Sequence, residues 1–320
     1  MCAYHSEEDN QQKDFCVVLL GRTFVLKKPH VGGGYCVHMW ARCTELISNV
    51  DRYVYLECHR GKKSIAKMCQ WMCERDLIRC HPMLKGMFST PLLVDMDPDV
   101  KVARAICDYI GDDLFVQTAK LQKCTPDERR PFAIALCEFL LDVLEELSNI
   151  GKVGLLSDIK LENIIMQGND FAHVSKYSFR VIDFGHMHED LCPTLDAGGG
   201  RVLIIAPHST AYKHPKRKYS DLASTRDVVF SIVVVYFTVL LCTNAHENGC
   251  IRKYVEYYKD SYVDTFLYDL YMTNMRSDDH DMDIGDIKIK FIQVKSKHAQ
   301  QEDISSTSKA QLESGIQSIG

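Results

Sequence analysis

The sequence predicts an α+β chain, β-rich in its first third and helical in the remainder. Before residue 110 the apolar residues come in short β-branched runs: Phe15–Lys28, Arg52–Cys58, Leu92–Asp95 and the run from Ala103. Beyond residue 125 they fall on helical stripes, as in Pro126–Ile150 and Lys253–Met275. Val228–Cys242 is hydrophobic all round, a pattern that belongs in the middle of a large domain.

Composition sets the bounds. With 320 residues, 46% apolar and 25% charged, the chain can bury a large core in one or two domains, which excludes wholesale disorder. A net charge of −5, with no basic run longer than Lys213–Lys218, argues against a nucleic-acid partner. The 14 cysteines are scattered without a C-x-x-C pair and the opening segment is polar, so the thiols read as reduced in a cytoplasmic or nuclear protein. Val228–Cys242 is shorter than the about 20 residues that span hydrocarbon, so no membrane association is expected.

Residues 1–14 read as a flexible N-terminus, and Gly21 interrupts the apolar run that follows. Gly32-Gly33-Gly34 comes next; alone it is a flexible turn, but such glycines also let backbone N–H groups approach a phosphate. Lys63–Arg79 reads as a helix, as does Pro126–Ile150, whose stripe includes Phe132, Leu136, Phe139, Leu140, Val143 and Leu147. Val153–Leu156, Ile164–Met166 and Arg180–Ile182 are short apolar runs that read as β-strand or buried loop. The acidic stretch Asp278–Asp286 lacks the closing glutamate of a calcium loop and reads as a solvated loop. From Lys295 the Gln-, Ser- and Lys-rich composition reads as a disordered tail, 295–320.

The chemistry concentrates in two pieces, Ser157-Asp158-Ile159-Lys160-Leu161-Glu162-Asn163 and Asp183-Phe184-Gly185. Phosphoryl transfer needs a carboxylate to orient the attacking hydroxyl, a cation at the moving phosphate, and oxygen ligands for magnesium. Asp158 can be the first, Lys160 the second, and Asn163 with Asp183 the third. D-x-K-x-x-N followed about twenty residues later by D-F-G resembles the catalytic and metal loops of protein kinases. Gly111-Asp112-Asp113-Leu114-Phe115 and Ser224–Val228 resemble the casein kinase one group, which includes the vaccinia-related and tau-tubulin kinases.

The resemblance implies a two-lobed protein kinase-like fold over 15–294, with a small β-rich N-lobe (about 15–105) and a larger helical C-lobe (about 110–294). It implies ATP and Mg²⁺ as cofactors and a protein as substrate. Lys160 follows the serine/threonine pattern. Gly32, Gly33 and Gly34 would cover the phosphates, and the hinge around Ile106–Tyr109, chiefly Asp108 and Tyr109, would meet adenine. Asp227 would cap backbone near the catalytic loop.

Several departures from the pattern bear on activity. Leu156 and Ser157 replace the histidine and arginine of H-R-D, and Val37 the third glycine of the phosphate loop. His208 stands where many kinases end the activation segment, 186–207, in glutamate. The strand lysine that grips the α- and β-phosphates is missing, with Tyr55 or Glu57 in its place. The next helix offers Ala66, Cys69 and Gln70 at its middle, and its glutamate, Glu74, lies late. Lys27, Lys28, Lys62 and Lys63 are candidate substitutes. A pseudokinase that binds or regulates a partner is therefore the alternative to an active serine/threonine kinase. The oligomeric state is not legible.

Overall fold

In the computed structural model the described residues are 15–31, 39–59, 62–97, 99, 101–168, 171, 173–184, 212–216, 223–243, 250–257, 261–276 and 282–317; of these, the side chains of 28–31, 62, 63, 66, 257 and 302–317 are not described. The chain divides into two compact units, residues 1–75 with 90–109, and 76–89 with 110–320.

The first unit is a six-stranded antiparallel sheet with a helix on one face. Its strands are β1 (Phe15–Leu19), β2 (Arg22–Val31), β3 (Met39–Glu45), β4 (Val50–Cys58), β5 (Pro91–Asp97) and β6 (Val102–Asp108), in the order β1-β2-β3-β4-β6-β5. Helix α1 (Lys62–Cys80) runs between β4 and β5 in sequence. Alternation along a strand sends successive side chains to opposite faces. Tyr53 and Tyr55 of β4 lie on one face with Phe24, Leu26, Ala41, Cys43 and Ile106. Cys58, Ala103 and Ala105 lie on the other, packed against Trp71 of α1 with Leu56, Val94 and Met96 beside them. The pairs Tyr55–Ile106, Leu56–Ala105 and Cys58–Ala103 keep each set on its face.

The second unit is mainly helical: α2 (Leu114–Leu121), α3 (Pro126–Asn149), α4 (Thr225–Leu241), α5 (Cys250–Tyr257), α6 (Tyr262–Arg276) and α7 (Ile284–Gln317), plus the short antiparallel pair β7 (Ile164–Met166) and β8 (Phe179–Val181). Helix α3 starts at a reciprocal cap, Thr125 Oγ1 accepting from Glu128 N while a Glu128 carboxylate oxygen accepts from Thr125 N. It ends at Gly151, whose φ of +66° is open to glycine at little cost. Gly151 N donates to Ser148 O and Lys152 N to Leu147 O, closing the last carbonyls of the helix. Helix α4 is buried along nearly its whole length, as its all-round hydrophobicity requires. No helix among the described residues is long and apolar enough to cross a membrane.

Four helices meet at one buried carboxylate. Asp264 of α6 is fully buried and accepts hydrogen bonds from Arg130 of α3, Tyr236 of α4 and Tyr254 of α5. Burying a carboxylate costs several kcal/mol unless it is paired and fully hydrogen-bonded, and here a guanidinium and two phenols do both.

Val153–Leu156, read as strand or buried loop, takes the second form, a 3-10 turn with Leu155 and Leu156 buried. One expectation needs correction: residues 295–317, read as tail, continue α7. Polarity hid the helix. Its buried contacts, Ile284, Ile287 and Phe291, lie at helical spacing before residue 295. Lys288 and Lys295 then reach the row Glu138, Asp142 and Glu145 on α3, Lys288 Nζ standing 2.7 Å from Asp142. Within the acidic stretch, Asp283 caps this helix by accepting from Asp286 N at 3.0 Å.

Candidate active site

The site is built on the turn after α3. Leu155 and Leu156 are buried in the helical core, so Leu156, in the place of a histidine, acts as a hydrophobic anchor for the loop that follows. Asp158 comes next, its side chain only 9% exposed. A 3-10 turn over Leu161–Asn163 swings the chain back, so that Lys160 and Asn163 flank the Asp158 carboxylate. Lys160 Nζ lies 2.6 Å from Asp158 Oδ2. Asn163 Nδ2 donates to the same oxygen at 3.2 Å and to the Asp158 carbonyl at 2.9 Å. Two donors thus hold one carboxylate in one orientation.

The amide group of Asn163 has a consequence for metal binding. With Nδ2 committed to Asp158, the lone pairs of Oδ1 are the end left for a cation, and a hard divalent ion takes amide and carboxylate oxygens. Asn163 and Asp183 thus supply the amide and carboxylate oxygens that Mg²⁺ takes.

Asp183 is positioned by the β7–β8 pair. Ile164 pairs with Val181, and Ile182 N donates to Asn163 O at 2.9 Å, which ties the segment before Asp183 to the end of the Asp158–Asn163 loop. Val181 is also hydrogen-bonded through its N and O to Met87 and Ser89. Asp183 has a φ of +50°, a left-handed conformation that aspartate tolerates better than most residues and that persists only where its surroundings enforce it. Phe184 supplies part of that enforcement: it is 3% exposed, its ring 4.3 Å from that of Phe88. Gly185 and the segment 186–207 lie outside the described residues.

Gly111-Asp112-Asp113 docks on the strand that follows Asn163. Met166 N donates to Asp112 O at 3.1 Å, Asp113 bridges Ile165, and Asp113 Oδ1 caps α2 by accepting from Val116 N at 2.9 Å. Burial raises the Asp113 carboxyl above its ordinary value. Gly111 leaves no room for a side chain, because an added Cβ would meet the Met166 carbonyl oxygen at 1.8 Å.

Other expected residues fall elsewhere. Asp108 ends β6 and pairs with Tyr53, and Tyr109 N is donated to Arg52 O at 2.6 Å, which engages that N–H within the first unit. Gly32, Gly33 and Gly34 lie outside the described residues. Asp227 caps its own helix: Oδ2 accepts from Ser224 N and Oγ at 2.9 and 2.8 Å. Its described bonds therefore serve α4 rather than the catalytic loop.

The missing lysine looks different once the faces of β4 are known. Tyr55 and Glu57 point away from α1; Tyr55 is buried and Glu57 pairs with His59 at 2.9 Å. Leu56 is the residue that faces the helix. Among the candidate substitutes, Lys27 is paired with Asp51 at an exposed site, and the side chains of Lys28, Lys62 and Lys63 are not described. A lysine the sequence reading passed over, Lys67, is 5% exposed on the inner face of α1. Its spacing from Ser64, Trp71 and Glu74, all buried, was the signal available.

No protein-family model matches the sequence, and no curated protein matches it. Solved structures do. A BubR1 kinase domain aligns with a TM-score of 0.60 at 13% identity, over 93% of this chain and 86% of the other. A vaccinia-related kinase 3 aligns with a TM-score of 0.55 at 11% identity, over 91% of each chain. At that identity the likeness is one of fold. An antiparallel sheet with one helix in the first unit and a helical second unit, aligned nearly end to end with these domains, is the protein kinase fold.

Proposed function

We infer that the chain is a divergent serine/threonine protein kinase that transfers the γ-phosphate of ATP to a protein hydroxyl. The observation that carries this reading is the convergence of Lys160 and Asn163 on the Asp158 carboxylate, with Asp183 tied to the same loop through Ile182. Bound Mg²⁺ supplies charge neutralisation along the phosphates. Asp158 orients the substrate hydroxyl and accepts its proton. Lys160 releases Asp158 in favour of the transferring phosphoryl group, whose negative charge is greater than one carboxylate's. Asn163 and Asp183 would hold the metal through their side-chain oxygens. Positioning of this kind provides most of the catalysis in phosphoryl transfer.

Purified protein with radiolabelled ATP, Mg²⁺ and a mixed peptide library tests the assignment. Transfer to Ser or Thr is expected, falling at least 100-fold in Asp158→Asn, at the low end of ~10²–10⁴-fold for a general base. Transfer no higher than that of Asp183→Ala would rule out the catalytic assignment.

The second reading, a pseudokinase acting as a binding or regulatory module, is favoured by β4 having no lysine, together with Leu156 and Ser157 in the places of histidine and arginine. Retained partner capture with no ATP response in a thermal-shift titration distinguishes it.

A further inference from the structure

An ammonium group is a poor choice for the inside of a helix–sheet interface, since desolvating it is costly unless it is paired. Lys67 nevertheless occupies the buried stripe of α1, 5% exposed, between Ser64 and Trp71. Its Nζ donates to Gln70 Oε1 at 3.2 Å, and Gln70 Nε2 donates to Glu74 Oε1 at 2.7 Å, so an amide relays between a buried cation and a buried anion. Glu74 is 3% exposed. The Lys67 ammonium also stands 5.7 Å from the centre of the Trp71 ring, within cation–π reach.

The sheet places this ladder. Burial raises the Cys107 thiol, Glu74 raises it further, and Lys67 opposes them, so both charges act at the end of β6, one residue before Asp108. Cys107 pairs with Val54 on β4, on the face that carries Leu56, Cys58 and Ala105. That is the face turned toward α1, and its β4 member has no charge of its own. Replacing a buried ion pair with apolar side chains is often neutral or stabilising, so fold stability alone gives a weak reason for these charges.

We propose that Lys67 is the nucleotide-phosphate ammonium of the first unit, supplied by α1 in place of β4, with Glu74 as its counter-ion through Gln70. This assignment rests on the ATP reading above. The pair normally split between strand and helix is then contained in one helix, as a K-x-x-Q-x-x-x-E ladder at i, i+3 and i+7. Leu56 fills with hydrocarbon the space on β4 beside it, and Lys67 swings from Gln70 to phosphate when nucleotide binds.

The test is equilibrium binding of a fluorescent ATP analogue with Mg²⁺, read together with the melting temperature. Wild type is expected to bind. Lys67→Met, which removes the cation linked to the buried Glu74 through Gln70, is expected to melt below the wild-type temperature and, assayed well below that melt, to bind at least ~30-fold more weakly, the loss when one partner of a buried charged contact is truncated. Leu56→Lys combined with Lys67→Met, which moves the ammonium to the strand, is expected to recover a measurable part of that affinity. Wild-type binding with Lys67→Met equally tight overturns this proposal and leaves the kinase reading standing; no binding by wild type overturns both. Should Lys67→Met fail to fold, an acyl-phosphate derivative of ATP applied to the wild-type chain decides. Its acyl group passes to a lysine amine beside the phosphates as ATP departs. Acylation of Lys67 that excess Mg·ATP suppresses is expected, and acylation confined to other lysines refutes the assignment.

Discussion

Gly111→Ala is a small change that the structure does not accommodate. The new Cβ would lie 1.8 Å from the carbonyl oxygen of Met166 and 2.9 Å from its carbonyl carbon, where ordinary contact begins at 3.4 Å. Both are backbone atoms, so no rotamer change relieves the overlap and one of the two segments must withdraw. Withdrawal stretches the 3.1 Å bond from Met166 N to Asp112 O and pulls Asp113 from its bridge to Ile165. Overpacking costs typically ~1–3 kcal/mol, and a buried backbone group left without its partner a further ~1–3 kcal/mol. The expected loss is therefore roughly 2–6 kcal/mol, or about 4–24 °C in Tm for a unit of this size. Urea unfolding followed by far-ultraviolet circular dichroism measures it. Gly86→Ala is the internal control: nothing lies within 4 Å of a Cβ there, so it should be neutral or stabilise by up to ~1 kcal/mol. Gly111→Ala has a second expected effect, because β7 begins directly after Asn163: the remaining folded protein should transfer phosphate poorly. Equal midpoints for the two variants would show that the docking of 111–113 on β7 is not the tight contact described here.

Other perturbations probe other parts. Asp264→Ala takes their shared acceptor from Arg130, Tyr236 and Tyr254, leaves Arg130 with the exposed Asp127, and should cost about 3 kcal/mol, the low end for breaking a buried pair, whereas Arg252→Ala, on an exposed helical pair, should leave the midpoint almost unchanged; similar unfolding midpoints would contradict the anchoring role. His214 is fully buried, and burial holds its imidazole below its ordinary value despite the Asn274 carbonyl at 3.2 Å. The unfolded chain then takes up the proton first, so this stability is intact above about pH 6.5 and declines as pH falls below it, at no more than about 1.4 kcal/mol per pH unit. His214→Gln should flatten the acid limb of the Tm profile between pH 7 and 5.5; parallel limbs for the two proteins would refute the attribution.

Much of the fold was legible because its signals are local. Thr125, Pro126 and Gly151 mark the two ends of α3, and the all-round hydrophobicity of 228–241 requires a buried α4. The clustering of Asp158, Lys160 and Asn163 was legible for the same reason, the three lying within one short motif. What was missed depended on partners distant in sequence. Helix α7 is held by Lys288 and Lys295 pairing with carboxylates more than 140 positions earlier, which composition cannot reveal. The sequence puts Tyr55 or Glu57 at the strand-lysine position because register is ambiguous by one residue, and in a strand that slip exchanges the faces. Lys67 escaped notice because a lysine in a helix ordinarily faces solvent. Gly111 was noted for its motif, while the approach of the Met166 carbonyl that requires a glycine there is visible only in three dimensions.

The central claim is that Asp183 and Asn163 present oxygen ligands to a divalent ion shared with a nucleotide. Calorimetric titration of ATP into the full chain, with Mg²⁺ in excess over the nucleotide and again with chelator, tests it most directly. The account predicts that Mg²⁺ tightens ATP binding at least ~10-fold in wild type and has little effect in Asp183→Ala. ATP affinity indifferent to Mg²⁺ in the wild-type chain, or a Mg²⁺ effect unchanged in Asp183→Ala, would contradict it.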